Sequence, residues 1–364
     1  MRTPQRELSI LFAGGGTAGH LLPALATEAA LQEILTTRPE MRLVVRFLAT
    51  KEGAELRILS EKGADFYLVP KTDFPRGINI RALSFLPRLL VAIFRTLPVA
   101  RRSDVVVGFG GYVALPAYIA AFILRKPLII HEANAVPGLA NRLGRVMATR
   151  TLTNFPVHDW RNSTAIGLPI RSSIWKLGKM GEKERASEQI HARKELNLDT
   201  SKKTILVFGG SLGAARINNT LESAVDELIY RGYQILHATG VGKESLTERP
   251  GYHPVAYIAK MDQAFLAANI VIARSGAGTC AELLATGTPA LLIPLDIGNG
   301  EQRKNAEELL AQGNVQLIAN EELTSVNMLS AIEDLSKRSI VGNSRESSPA
   351  QSLAEVILEC GGVR

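Results

Sequence analysis

Ala273-Arg274-Ser275-Gly276-Ala277-Gly278-Thr279-Cys280-Ala281-Glu282 is the stretch on which the reading of the fold turns. Just before it, Ile270-Val271-Ile272 is an apolar run of the kind a buried strand carries. The stretch itself opens a helix that lasts to about Thr286, where Gly287 and Pro289 stop it. The first N–H groups of a helix have no partner within it, and the macrodipole places partial positive charge there, so a phosphate fits against such an end. Gly276, Ala277 and Gly278 keep side chains clear, while Ser275 and Thr279 add hydroxyls and Arg274 a cation. Glu282, one turn further in, suits a sugar hydroxyl better than a phosphate it would repel. Close packing alone also asks for glycine at a strand-to-helix turn, so the rest of the chain decides between the two readings.

The 364 residues suffice for two domains, each burying its own sheet, and 46% hydrophobic with 21% charged residues is the composition of a folded chain. Cys280 and Cys360 stand far apart with no CxxC or His-rich neighbours, which argues against a disulfide framework or a zinc site and for a reducing, cytoplasmic compartment. Met1 to Leu8 lacks an apolar h-region, and no stretch reaches the roughly 18 uncharged apolar residues of a spanning helix. The expected protein is neither secreted nor transmembrane. A net charge of +7 points to an anionic partner: nucleic acid, a phosphorylated ligand or a membrane surface.

Upstream, Ser9 to Ala13 reads as a first strand, followed by Gly14-Gly15-Gly16-Thr17-Ala18-Gly19-His20 and a helix to about Leu35. Gly14, Gly16 and Gly19 match the spacing of a dinucleotide-binding turn, but the next strand ends in Ala49-Thr50-Lys51, a cation where that fingerprint needs an acid. His20 is the unusual residue: an imidazole at the top of the first helix, suited either to cap the loop or to act as a general base. From Phe74 to Ser103 there is no acidic residue, while Arg81, Arg88, Arg95 and Arg102 recur every seven residues. Apolar Leu83, Leu86, Leu90, Ile93 and Leu97 recur at helical spacing, and Pro98 is expected to end the helix. With no acid to pair the arginines, this segment reads as a basic amphipathic helix lying against an anionic bilayer. Arg81, Leu86, Arg88, Leu90, Ile93, Arg95 and Leu97 are the membrane-facing residues. No aromatic-rich strand surface or reading motif accompanies the charge, so no nucleic acid is expected as a partner.

Further strand ends carry Gly108 to Tyr112 and His131-Glu132-Ala133-Asn134-Ala135-Val136-Pro137-Gly138, with Glu132 a second candidate base, and this half closes at Arg171. After a charged, weakly periodic segment the organisation repeats: strand 205–208 meets Gly209-Gly210-Ser211-Leu212-Gly213-Ala214, and strands near 234–237, 255–257 and 290–293 follow. The expected architecture is α/β, two Rossmann-like domains facing a cleft, with a first domain at 1–171, a linker at 172–203, a second domain at 204–345 and a C-terminal helix in 346–364 packing back on the first.

Taken in order, six motifs resemble the MurG family of glycosyltransferases: Gly15 to His20, Gly110 to Val113, His131 to Gly138, Gly209 to Ala214, Arg274 to Thr279, and Gln302 to Ala306. The resemblance covers the chain from Gly14 to about Gln312. It implies a glycosyltransferase B fold and inverting transfer of N-acetylglucosamine from UDP-GlcNAc to the C4 hydroxyl of MurNAc in undecaprenyl-pyrophosphoryl-MurNAc-pentapeptide (lipid I). The product is lipid II, for peptidoglycan, made at the cytoplasmic face of the inner membrane by a peripheral enzyme. It also implies donor contacts at Thr17, Ala18, Gly19, Asn134, Arg171, Ser211, Ile258, Ala277, Gly278, Thr279, Cys280, Ala281, Glu282, Gln302 and Asn305, the last two reading GlcNAc hydroxyls. Ala18, Leu168, Gly278 and Gly300-Glu301 depart from the usual family residues and touch donor geometry rather than reaction class. His20 or Glu132 is the expected catalytic base, and no metal or other cofactor is expected, since no carboxylate pair sits at a strand end. A UDP-GlcNAc epimerase, another lipid glycosyltransferase and a non-catalytic membrane scaffold are the alternatives on the same fold.

Overall fold

The computed structural model describes residues 6–16, 18–52, 54–72, 74, 80–210, 215–240, 247–295, 300–310 and 314–363, with the side chains of 18, 54 and 80–83 outside the description. Thr17 and Ser211, and the side chains of Ala18 and Arg81, therefore lie outside the described residues. The chain divides into two units: unit 1 is Met1–Arg171 with Ser347–Arg364, and unit 2 is Ser172–Glu346.

Unit 1 runs β1 (Arg6–Gly14), α1 (Ala18–Leu35), β2 (Met41–Ala49), α2 (Ala54–Glu61), β3 (Phe66–Leu68), α3 (Ile80–Arg101), β4 (Val105–Gly110), α4 (Ala114–Ile123), β5 (Leu128–Glu132), α5 (Leu139–Gly144), β6 (Arg150–Thr153) and β7 (Ser163–Ala165). Its strands pair in parallel in the order β3-β2-β1-β4-β5-β6-β7. Side chains alternate across a strand, so Leu8, Ile10 and Phe12 of β1 enter one core and Leu11 and Ala13 the other. Both faces are covered, which is why these strands read as unbroken apolar runs.

Unit 2 runs α6 (Ser172–Leu177), α7 (Glu182–Glu195), β8 (Lys203–Phe208), α8 (Ala215–Glu222), α9 (Val225–Tyr230), β9 (Tyr233–Ala238), β10 (Tyr252–Val255), α10 (Met261–Ala267), β11 (Ile270–Ala273), α11 (Ala277–Thr286), β12 (Ala290–Leu292), α12 (Glu301–Leu310), β13 (Val315–Leu317) and α13 (Ser325–Leu335). Its parallel order is β10-β9-β8-β11-β12-β13. The last element, α14 (Pro349–Cys360), starts with a reciprocal Ser348/Gln351 capping box and buries Leu353, Ala354 and Ile357 against α1 in the unit 1 core.

Residues 172–203, expected as a linker, are instead folded into unit 2 as α6 and α7. Charged residues cover α7, which hid its role. Gln189 donates to the Leu266 carbonyl at the end of α10, and Arg193 donates to the Ala267 carbonyl and to Asn269 Oδ1. Polar side chains here close the C-terminus of a neighbouring helix. The strand expected at 255–257 lies earlier, at Tyr252–Val255, pairing with β9 and leaving Tyr257 exposed.

Helix α3 also departs from expectation. It passes through Pro98 to Arg101, because the carbonyl left without its N–H partner, that of Phe94, belongs to a residue on the solvent side. Ile93 is buried and Leu97 half-buried against Leu115 and Ile119 of α4, so neither faces a membrane. The outward apolar side chains are Leu86, Leu90, Val91 and Phe94, beside exposed Arg88 and Arg95. Both sides of α3 are apolar, and only the packing on α4 separates them.

Candidate active site

In each sheet the connections leave in opposite directions from one pair of strands, β1 and β4 in unit 1 and β8 and β11 in unit 2. Ligands of open α/β sheets bind outside the carboxyl ends of such a pair. The loops that follow these strands are the glycine-rich motifs of the sequence.

In unit 1 the β1–β4 register shifts at Ala13/Gly14, and the chain turns through Gly16 at φ 101°. Gly111, at φ 81°, faces this turn, and a Cβ there would lie 2.0 Å from the Gly15 carbonyl oxygen, so no other residue fits. The same Gly15 carbonyl accepts a hydrogen bond from the imidazole of His20. Desolvation lowers the His20 pKa, while that hydrogen bond and the charge of Glu55 act in the opposite direction. The half-buried ring is thus neutral near pH 7, the form in which it accepts a proton.

Glu132 ends β5 and is only 2% exposed. Its Oε1 accepts from the Asn134 N–H at 2.9 Å, and its Oε2 from the Gly138 N–H at 3.0 Å and from Asn141 Nδ2 at 2.8 Å. Asn141 is in turn held through its Oδ1 by the Tyr118 hydroxyl at 2.6 Å. Burial pushes the Glu132 carboxyl up, and the N–H donors, Asn134's side chain among them, pull it down. Both oxygens are committed to donors of the loop, so Glu132 is not placed to take a substrate proton. The carboxylate is the organiser of residues 133–138 and orients Asn134. His131 is also structural: burial lowers its pKa to about 4, and its Nε2–H donates to the Gly167 carbonyl at 2.8 Å. That bond ties β5 to the segment ending at Arg171, the exposed last residue of this part of unit 1.

In unit 2, α11 begins after Gly276 with no side-chain cap, and a Cβ at Gly276 or Gly278 would meet nothing within 4 Å. Packing does not require these glycines. With no side-chain cap at Gly276 and open space at both glycines, the N–H groups at the start of α11, from Ala277, Gly278 and Thr279, are of the kind an anion can take. Thr279 and Glu282 are partly exposed on the same helix. Cys280 and Ala281, expected among the contacts, point their buried side chains inward, and the Cys280 N–H already bonds the Gly276 carbonyl at 3.0 Å. Burial keeps the Cys280 sulfur a thiol.

Asn305 is fully buried and donates to the Ser275 carbonyl at 3.3 Å; it fixes the loop rather than facing a sugar. The Ser275 hydroxyl donates to the Gln302 carbonyl at 2.8 Å, and Gln302 Oε1 accepts the Leu295 N–H at 3.0 Å. These bonds lock α12 to the start of α11, and Gln302 remains partly exposed there. Arg274 is buried, donating to the Ile293 carbonyl and Asn320 Oδ1, so it braces the loop. Ile258, expected to meet the donor, follows β10 and is buried.

Sequence reasoning missed three buried groups that hold these loops. Glu55 underlies the first glycine turn, and the Asn141–Tyr118 pair supports Glu132. In unit 2, His237, at a pKa lowered to about 4 by burial, accepts from the Tyr252 hydroxyl and bonds Asn218 Oδ1 at 3.1 Å, which ties α8 to β9 and β10. The one available signal was a polar residue in an otherwise apolar position.

The profile of the glycosyltransferase family 28 N-terminal domain matches residues 10–153, and that of the C-terminal domain of the same family matches residues 204–357. A protein of Streptomyces coelicolor named UDP-N-acetylglucosamine–N-acetylmuramyl-(pentapeptide) pyrophosphoryl-undecaprenol N-acetylglucosamine transferase is 41% identical over 87% of this chain and 86% of its own length. A protein of Saccharopolyspora erythraea with the same name is 37% identical over 98% and 96%. Among solved structures, Acinetobacter baumannii MurG superposes with a TM-score of 0.71 at 24% identity, covering 97% of this chain and 99% of that one. The UDP-GlcNAc 2-epimerase of Neisseria meningitidis superposes with a TM-score of 0.60 at 13% identity over 97% of this chain and 99% of that one, a likeness of fold alone.

Proposed function

We propose that this chain, which belongs to glycosyltransferase family 28 and to the UDP-N-acetylglucosamine–N-acetylmuramyl-(pentapeptide) pyrophosphoryl-undecaprenol N-acetylglucosamine transferases within it, moves GlcNAc from UDP-GlcNAc to the C4 hydroxyl of MurNAc in lipid I, giving lipid II. The observation that carries this is 37–41% identity to transferases of that name over most of both chains. An epimerase shares the fold at 13% identity, so fold alone does not separate the two reactions, but the sequence relationship does.

The chemistry follows from the two units taken separately. The donor diphosphate lies against the N–H groups that open α11, with Thr279 beside it and Glu282 on the ribose; Gln302 reads the sugar. The acceptor is held by unit 1. Its C4 oxygen forms the new bond to the anomeric carbon, the bond from that carbon to the UDP oxygen breaks with inversion, and His20 takes the hydroxyl proton. Negative charge grows on the leaving diphosphate, where fixed N–H dipoles stabilise it without reorganising. Glu132 and Asn141 hold the loop that presents Asn134. The leaving charge is met by the backbone, and the reaction proceeds without a resident metal.

The lipid acceptor calls for a membrane surface. No helix among the described residues is long and apolar enough to cross a membrane. On unit 1, Leu86, Leu90, Val91 and Phe94 of α3, Phe122 and Ile123 of α4, and Leu139, Leu143 and Val146 in and after α5 are exposed on helices that pack in succession. Arg88, Arg95, Arg125, Arg142 and Arg145 are exposed on the same segments. Grouped apolar side chains edged by cations fit shallow insertion into an anionic leaflet, here the cytoplasmic face of the inner membrane. The test of function is transfer of labelled GlcNAc to a short-chain lipid I analogue in EDTA. Transfer without added metal is expected; conversion of UDP-GlcNAc to its 2-epimer with no transfer overturns the assignment.

A further inference from the structure

We propose that Glu55 is a positioning residue for the transfer, its carboxylate fixing the glycine turn whose Gly15 carbonyl holds the His20 imidazole. The inference rests on the reading of His20 as the base. Glu55 stands in the first turn of α2 and is fully buried. A buried carboxylate costs several kcal/mol unless donors surround it. Here Oε1 accepts from the Thr50 N–H at 3.2 Å and the Thr50 hydroxyl at 3.0 Å, and Oε2 accepts from the Gly16 N–H at 3.1 Å.

The two Thr50 bonds are local and would serve to join the end of β2 to α2. The Gly16 bond is different. It reaches 39 residues back to the turn after β1, and a Cβ on Gly15 would lie 3.0 Å from Oε1, so the carboxylate lies directly beneath that turn. A Cβ on Gly15 would also meet Val113 Cγ2 at 2.9 Å, and the Gly15 carbonyl lies against Gly111 and accepts from His20. Glu55 is also the charged group whose field acts on the imidazole, raising its basicity against desolvation. The neighbouring loop after β4 contributes Tyr112, whose ring packs on Gly16 with Lys71 over it at 5.0 Å. One side chain thus fixes the turn that places the proton acceptor and acts, behind desolvation and the Gly15 bond, on its basicity.

The experiment compares wild type, Glu55→Gln, Glu55→Asp and His20→Ala. Transfer kinetics are measured as a function of pH, and the His20 ring is titrated by NMR, its resonance assigned by loss in His20→Ala. In Glu55→Gln we expect kcat to fall about 10- to 100-fold with the donor KM within about twofold of wild type, since a misplaced group costs that much. The acid limb of kcat/KM and the His20 titration both move to lower pH. Glu55→Asp keeps the charge but withdraws it by one methylene, so its His20 titration stays near wild type while kcat falls. Wild-type kcat in both variants with an unmoved titration in Glu55→Gln overturns the proposal. Should Glu55→Gln fail to fold, wild-type kcat in Glu55→Asp overturns it alone. Retained transfer in His20→Ala refutes the base reading, and the NMR shift then still decides whether Glu55 governs the imidazole.

Discussion

Replacing Glu132 with Gln separates two roles that the sequence left open. The carboxylate takes two backbone N–H groups and the Asn141 amide, each a hydrogen bond to a charged acceptor. Gln keeps one oxygen and turns the other into an NH2 group facing a donor. At least one charge-assisted bond, about 1.5–3 kcal/mol, is lost, and a buried donor is left unmet at about 1–3 kcal/mol. Relaxation of the loop recovers part of this, so a net loss of about 2–4 kcal/mol is expected. For a unit of this size that lowers the midpoint of the unit 1 thermal transition by roughly 4–16 °C. The assay is differential scanning calorimetry alongside transfer kinetics with donor and acceptor varied in turn. The unit 1 transition should fall, with activity lost in proportion to loop disorder and recovered at low temperature. An unchanged transition, within about 1 °C, together with a thousandfold loss of kcat would refute this reasoning and restore Glu132 as the proton acceptor.

Other outcomes follow from the same geometry. His131 in unit 1 and His237 in unit 2 are both lowered to about 4 from an ordinary value near 6.5, so between those pH values the unfolded chain binds more protons than the folded one. Stability contributed by each neutral ring is complete above pH 6.5 and falls by about 1.4 kcal/mol per pH unit as pH drops toward 4, measurable by urea unfolding across that window. Gly278→Asp should leave stability intact, because its side chain meets open space, while the carboxylate repels the donor diphosphate and raises the UDP-GlcNAc Kd at least about tenfold; calorimetric titration reads this directly. Leu86→Ser with Phe94→Ser should weaken binding to anionic vesicles by about 10- to 100-fold, since both exposed side chains leave the bilayer, with transfer to a water-soluble acceptor unchanged.

Much of this architecture was legible because parallel strands covered on both faces become apolar runs, and β1, β4 and β11 each end at a glycine cluster. His20 could be singled out because an imidazole at the top of the first helix, beside a glycine turn, is a titratable group where α/β ligands bind. What was not legible has a common cause: burial decided by partners distant in sequence. Ile93 and Leu90 are equivalent in α3 until α4 covers one of them. Charged α7 looked like a linker because the groups it satisfies, carbonyls at the end of α10, lie about 75 residues further on. Glu132 resembled a base because a carboxylate at a strand end is one when it is open, and only the bonds from Asn134, Gly138 and Asn141 show that it is not. Asn305 and Cys280 stand inside recognisable motifs, yet their side chains serve the loop and the core.

The most direct test of the account compares wild type and His20→Ala for single-turnover transfer of GlcNAc from UDP-GlcNAc to a short-chain lipid I analogue, with donor affinity measured separately by calorimetry. The account predicts transfer by the wild type and a loss of about 10²–10⁴-fold in the variant at unchanged donor affinity, the usual range for removing a general base. Wild-type protein that binds UDP-GlcNAc but transfers nothing to lipid I, or a variant as fast as wild type, would contradict it.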